Sequence, residues 1–198
     1  MQQQGKIIFI SGPSGAGKGT LIEKLREKHA TWVFPPSCTT REMRSGEKNG
    51  ETYFFISREA FLKKIKAGEF LEYAEVHNGN LYGTLKQPLF DGISQGKIVV
   101  REFDIQGFEQ ARKILPKDLF VSIFLTVHGG KEELIRRIHH RGLMSDDELQ
   151  RRMGSVDREL AAESLYDFVV YNDEIPQMVR EVEKIIAQSF SPLLEYFS

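Results

Sequence analysis

Ile7-Ile-Phe-Ile-Ser11-Gly12-Pro-Ser-Gly15-Ala-Gly17-Lys18-Gly19-Thr20 is the stretch that decides the fold of this chain. Its apolar, β-branched start reads as a buried strand and its glycines as a tight loop. The following Leu21-Ile-Glu-Lys-Leu25-Arg-Glu-Lys28 reads as an amphipathic helix. The loop fits G-x-x-x-x-G-K, in which backbone N–H groups and the positive end of the next helix enclose a polyphosphate while Lys18 neutralises its outer oxygens. Glycines let the backbone turn sharply and approach phosphate without Cβ atoms in the way. A dinucleotide-binding loop would need G-x-G-x-x-G; from Gly15 the series runs Gly15, Gly17, Thr20 and lacks the third glycine. The candidate nucleotide contacts are therefore Gly12, Pro13, Ser14, Gly15, Ala16, Gly17, Lys18, Gly19 and Thr20. Gly19 stands where the common pattern carries the hydroxyl that touches Mg²⁺, so Thr20 is the nearest hydroxyl.

The rest of the composition narrows the class. A chain of 198 residues, 40% hydrophobic and 28% charged, can bury one large core. Lys plus Arg total 27 against 28 for Asp plus Glu, and a net charge of −1 gives no general attraction to nucleic acid or membranes. Any anion site must be local. Cys38 is the single cysteine, which excludes an internal disulfide and suits a reducing cytosol. Residues 1–6 carry no apolar signal segment, and no apolar run approaches the roughly 18 residues of a membrane span. A cytoplasmic protein without an obligate protein partner is expected.

Along the chain, Trp32-Val33-Phe34 and Ser37-Cys-Thr-Thr40 suggest a second strand ending in small hydroxyl residues, leading into a polar loop with Arg41 and Arg44. Tyr53-Phe-Phe-Ile56 is a short strand. Ser57 is a good N-cap for a helix that stops at Gly68. Phe70–Val76 and Leu81–Thr84 flank Asn78-Gly79, a favoured hairpin turn. Residues 35–96 thus form a small α+β insertion in an α/β alternation that occupies 1–34 and 97–198. Apolar strands at 97–104, 119–127 and 168–171, with helices at 106–115, 132–138 and 178–186, indicate a parallel sheet covered on both faces. Ligands belong at the carboxyl ends of such strands. Between the last two strands, Arg136-Arg-Ile-His-His-Arg141-Gly142 precedes a capping box, Ser145 with Glu148, so two helices direct arginines at one turn. A mobile arginine lid over a transferring phosphoryl group is a standard device.

Five motifs then carry a resemblance. Ser37-Cys-Thr-Thr-Arg41-Glu-Met-Arg44-Ser-Gly-Glu, Asn49-Gly-Glu-Thr-Tyr53-Phe-Phe, Gly68-Glu-Phe-Leu-Glu72-Tyr-Ala-Glu, Asn80-Leu-Tyr82-Gly83-Thr84 and Glu102-Phe-Asp104-Ile-Gln106-Gly107 together resemble the guanylate kinase family, in its order and approximate spacing from about Ile7 to Ile186. The resemblance implies a three-layer α/β P-loop kinase with a parallel core sheet, an inserted monophosphate-binding domain and a helical lid at about 137–153. It implies transfer of the γ-phosphoryl of ATP to GMP, with Mg²⁺. The family's acceptor-phosphate residues fall on Arg41, Arg44, Tyr53 and Tyr82, and its guanine contacts on Ser37, Glu72, Thr84 and Asp104. Lid arginines match Arg137, Arg141 and Arg152, and Asn172 matches a contact near the adenine of ATP. Lys18, Arg44 and the three lid arginines become the candidate catalytic groups. Glu102 stands where the family has an acidic residue near the metal; it either acts through water or forms a simple salt bridge. Glu42-Met43 and Ser45 replace prolines of many members, 126–130 replaces a Pro-Pro turn, and 78–80 adds a residue.

The residue types suit that task. Guanine presents two adjacent donors beside one acceptor, O6; carboxylates accept from the donors and hydroxyls donate to O6. Arginine forks grip phosphate oxygens in a way lysine cannot. An acceptor phosphate with a second pKa of about 6 is largely ionised near neutrality, so no catalytic base is assigned. Two other functions share the core: a non-catalytic guanylate-kinase-like protein-binding module, which typically has a degraded phosphate loop, and a phosphosugar kinase, which would not need Ser37, Glu72, Thr84 and Asp104 together. His139 and His140 point in different directions on a helix and have no suitably spaced co-ligands.

Overall fold

The computed structural model describes residues 5–76, 79–140 and 146–189; the side chains of 76, 146–149, 151 and 152 are also outside the description. The leading stretch forms strand β1 (Lys6–Ser11), a glycine loop and helix α1 (Lys18–Lys28). Then come β2 (Ser37–Thr39), β3 (Tyr53–Phe55), α2 (Arg58–Lys66), β4 (Phe70–Val76), β5 (Asn80–Leu85) and α3 (Lys86–Ser94). The chain continues through β6 (Ile98–Glu102), α4 (Ile105–Ile114), β7 (Phe120–Thr126), α5 (Gly130–His140), α6 (Asp146–Ala161), β8 (Phe168–Tyr171) and α7 (Ile175–Ser189). One four-stranded sheet runs β6-β1-β7-β8 and a second runs β3-β2-β5-β4. β7 and β8 pair in parallel, Ile123 opposite Phe168 and Thr126 opposite Tyr171.

Two compact units divide the chain, Met1–Ile7 with Thr31–Phe120 and Ile8–Ala30 with Val121–Ser198. In the second unit every residue of β7 is buried, as a strand covered on both faces must be. In the first, β4 and β5 form the antiparallel hairpin, with Glu72 opposite Thr84, and Gly79 takes φ 74 at its turn. β2 pairs with both β5 and β3. A small core lies on this sheet: Cys38, Phe61, Phe70 and Leu81 are buried together, and the rings of Phe61 and Phe70 stack at 4.4 Å. Burial raises the Cys38 thiol above its ordinary pKa. Ser57 caps α2 by accepting from the Ala60 N–H at 3.1 Å.

Two local readings are corrected. The expected strand at 32–40 is confined to β2, and Val33 makes only an isolated parallel bridge to Val99. Pro35 and Pro36, which lack N–H donors, interrupt the ladder between them. Helix α3 is an element that the sequence analysis did not place, and its sequence holds Pro88 and Gly92. Pro88 lies in the first turn, where its missing N–H has no intrahelical partner to lose. Gly92 is there for space: a Cβ would stand 2.6 Å from Val99 Cγ2 of β6. Among the described residues no helix is long and apolar enough to cross a membrane.

Gly92→Ala isolates that packing constraint. An alanine inside a helix ordinarily gains about 1 kcal/mol over glycine, but overpacking against a buried, χ1-restricted valine costs about 1–3 kcal/mol. We expect a lower midpoint in thermal unfolding; a higher one would mean that Val99 makes room.

Candidate functional site

The second unit holds the glycine loop. Gly12 takes φ 145, and a Cβ there would sit 2.0 Å from the Leu125 carbonyl oxygen, so only glycine lets the loop leave β1 against β7. Gly17, at φ 95, caps α1 in the left-handed region, and a Cβ there would meet Asn172 Nδ2 at 2.1 Å. The buried Asn172 amide donates to the Ala16 carbonyl at 2.8 Å, while its backbone N–H donates to Thr126 O. Asn172 thus braces the loop from behind. Lys18 Nζ donates to the Gly12 and Pro13 carbonyls at 2.8 and 3.1 Å, arching over the loop. The N–H of Ser14 donates to Glu159 Oε2 at 3.0 Å. Nothing lies within 4 Å of a Cβ at Gly19, so this position has room for a side chain. The loop and the N-terminus of an 11-residue helix form an anion-binding arrangement.

Of the expected lid arginines in this unit, Arg137 donates from Nε to Glu133 Oε1 at 2.7 Å. Arg136 and Arg137 together hold the Glu133 carboxyl down to about 2. Arg141 lies outside the described residues; Arg152 belongs to α6, but its side chain lies outside them as well.

The first unit gathers the remaining candidates. Ser37 on β2 and Glu72 and Thr84 on the β4–β5 hairpin are buried polar residues. Arg101 on β6 joins them. Its Nε donates to Thr84 Oγ1 at 3.0 Å, its Nη1 to the Pro35 carbonyl at 3.3 Å, and its Nη2 to Ser37 Oγ. Glu72 lies opposite Thr84 in the hairpin register. Burial raises the Glu72 pKa above 4.5, and Thr84 and Arg101 oppose that rise. Gly107 leaves space for this carboxylate: a Cβ there would be 3.0 Å from Glu72 Oε2. Asp104 is exposed and caps α4, its Oδ1 accepting from the Gly107 N–H at 2.7 Å. Glu102 is partly buried at the end of β6. Among the described residues no group of three or more His, Cys, Asp and Glu could hold a metal ion.

Arg41, Tyr53 and Tyr82 also come together. The two tyrosine rings meet edge-on at 5.8 Å, and the Arg41 guanidinium lies 5.5 Å from the Tyr53 ring centre. Burial raises the Tyr53 pKa. Arg41 is gripped by both oxygens of Glu47, at 2.8 and 2.9 Å, and the Arg44 N–H donates to the same carboxylate at 2.7 Å. The Arg44 residue itself is exposed. Sequence reasoning singled out neither Arg101, Glu47 nor Glu159. The one available signal was a cation inside the apolar run Ile98-Val-Val-Arg101.

Comparison with known proteins identifies the family. The guanylate kinase family profile matches residues 4–189. A guanylate kinase from Campylobacter jejuni is 42% identical over 187 residues, 94% of this chain and 89% of that protein. One from a Synechococcus strain is 40% identical over 92% of this chain and 82% of its own length. The crystal structure of guanylate kinase from Anaplasma phagocytophilum superposes with a TM-score of 0.77 at 29% identity, covering 98% of this chain and 90% of that one. A gluconokinase from Sinorhizobium meliloti, at 17% identity and a TM-score of 0.51, shares the fold.

The Arg41–Glu47 pair makes a pH prediction. Arg41, and then the Arg44 backbone, hold the Glu47 carboxyl at about 2 instead of 4.5. A depressed folded pKa contributes stability above 4.5 that is lost as pH falls from about 4.5 toward about 2. Urea unfolding of Glu47→Gln at pH 6 and pH 3 should therefore show a smaller acid loss than the parent chain; equal losses would refute the pairing.

Proposed function

The chain belongs to the guanylate kinase family, and from that premise we propose that it transfers the γ-phosphoryl group of ATP to GMP using the two groups of residues set out above. The observation that carries the reading is the buried set Ser37, Glu72 and Thr84, which combines hydroxyls with a carboxylate in the way a guanine edge requires. In this reading residues 35–96 form the GMP-binding domain and 1–34 with 97–198 the ATP-binding core, its lid at about 137–153.

ATP lies with its phosphates along Gly12–Thr20. Amides of the loop and α1 meet the phosphate oxygens, and Lys18 leaves the loop carbonyls to neutralise them. Asn172 keeps the loop in shape with one amide N–H on the Ala16 carbonyl, and its second N–H and its carbonyl oxygen are the groups it offers near the adenine of ATP. The GMP phosphate takes the Arg41 fork in exchange for Glu47, exchanging one bidentate anion for another, with Arg44, Tyr53 and Tyr82 as further donors. Glu72, and the Asp104 oxygen not used in capping, accept from guanine N1–H and the exocyclic amine. The acceptor phosphate is its own nucleophile, so no general base is needed. Arg137, Arg141 and Arg152 spread charge over the loose transition state and help exclude water.

The donor set fits a Mg²⁺ ion held chiefly by nucleotide phosphates and water, which is how this cation is usually bound, with Glu102 as the chain's own carboxylate acting through water. Bound there, the ion would supply neutralisation of the phosphate charge that develops during transfer. A cytoplasmic location follows from the single reduced cysteine and from the substrates.

Initial rates of ADP release with GMP, AMP, UMP and ribose phosphates test this reading; absence of turnover with GMP would overturn it. Lys18→Ala should lower kcat by on the order of 10²–10³ or more. Glu72→Gln should raise KM for GMP about 10- to 100-fold, as loss of a charged hydrogen bond does, with KM for ATP nearly unchanged. Because burial raises the Glu72 pKa and its ionised form is the acceptor, GMP affinity should fall with decreasing pH, beginning above 4.5, and Glu72→Gln should remove that acid limb.

A further inference from the structure

We propose that Arg101 is a specificity-positioning residue: by donating to the hydroxyls of Ser37 and Thr84 together, it turns their protons away from itself and so biases the hydrogen-bond polarity of the base pocket. The inference rests on the assignment of Ser37, Glu72 and Thr84 to guanine.

A guanidinium has five N–H donors and no acceptor. Arg101 directs three of its nitrogens at Thr84 Oγ1, the Pro35 carbonyl and Ser37 Oγ, bringing residues of β2, β5 and β6 onto one planar group. A hydroxyl has a single proton, and one that accepts from a cation must turn that proton elsewhere. For Thr84 the nearby carboxylate is Glu72, which lies opposite it in the hairpin register and whose ionised form Thr84 favours. A Thr84 proton turned from Arg101 toward that side therefore favours Glu72 as an acceptor. For Ser37, buried and already accepting from Arg101, the proton is left for the ligand, where guanine offers O6.

The consequence is discrimination by a biased rotor. Adenine puts an amine where guanine has O6 and a lone pair where guanine has N1–H. A freely rotating serine would turn to accept from that amine, and a neutral, protonated Glu72 would donate to that lone pair. Arg101 works against both escapes. It occupies one of the two acceptor lone pairs of Ser37 Oγ, and its charge opposes the burial that raises the Glu72 pKa. The other groups that bear on Glu72 are Thr84, which favours the ionised form, and Asp104, which disfavours it. Lysine could supply the charge but not the planar fork.

The test compares Arg101→Met and Arg101→Lys with the parent chain, using kcat/KM for GMP and for AMP, KM for ATP, and the pH dependence of GMP binding. We expect the GMP:AMP ratio to fall by on the order of 10-fold or more in both variants, with KM for ATP within about 2-fold of the parent value. The acid limb of GMP binding should move to higher pH in Arg101→Met and stay in place in Arg101→Lys. If Arg101→Met does not fold, the ratio in Arg101→Lys decides. A constant ratio, with GMP and AMP activities unchanged or reduced together, overturns the proposal. If the ratio is constant while Glu72→Gln still raises KM for GMP, the pocket assignment survives and only Arg101 is misassigned. If Glu72→Gln also leaves KM for GMP unchanged, the pocket reading fails and takes the proposal with it.

Discussion

The glycine loop keeps its shape because a main-chain carbonyl and a side-chain amide of the second unit come too close to it for side chains. Gly12 packs against the Leu125 carbonyl, and Gly17 faces the Asn172 amide, which in turn ties down the Ala16 carbonyl. Each contact comes from the end of β7 or from the residue just after β8, the carboxyl edge where a parallel sheet presents ligands. Because the loop is gripped from behind, its amide face remains oriented for an anion before one arrives. Such preorganisation lowers the ordering cost of binding. The Glu159 carboxylate on the Ser14 N–H fits the same logic, since an anion already satisfies one of those amides.

The two candidate sites solve recognition by opposite means. A phosphate is met by main-chain N–H groups, whose direction is set by loop conformation and hardly depends on side-chain identity. In the proposed function a purine edge is met by buried hydroxyls and a carboxylate, whose meaning depends on where each proton points. Buried polar groups are costly when half-satisfied, so the Ser37, Thr84, Glu72 and Arg101 set gains from being completed as a unit. Removing one member leaves the others desolvated without partners, which penalises the wrong base and the wrong mutation alike.

Much of this was legible in the sequence, for local reasons. The loop pattern, the Ser57 cap and the strands flanking Asn78-Gly79 each depend on residues a few positions apart, and each formed where the pattern put it, Asn78 itself lying outside the described residues. α3 went unread because proline and glycine, the usual breakers, sit where a first turn and a tight helix–strand approach tolerate or require them. The missed side chains were missed through distance. Arg101 meets partners 17 and 64 positions away, and Glu159 reaches a loop 145 positions away. Glu47 lies only six positions from Arg41, but a polar loop gives no periodicity by which to read the pairing. Asp104 shows a further ambiguity: a carboxylate expected at the base is also a helix cap, and the two roles use different oxygens.

Cys38 stands beside Ser37 on β2, shielded by Phe61, Phe70 and Leu81. It is the only thiol in the chain, and burial keeps it protonated and unreactive in the closed sheet. The chain therefore carries an intrinsic reporter. A thiol reagent can react only when the small sheet opens, so the labelling rate measures how often the sheet that carries the proposed base pocket comes apart, without any introduced probe.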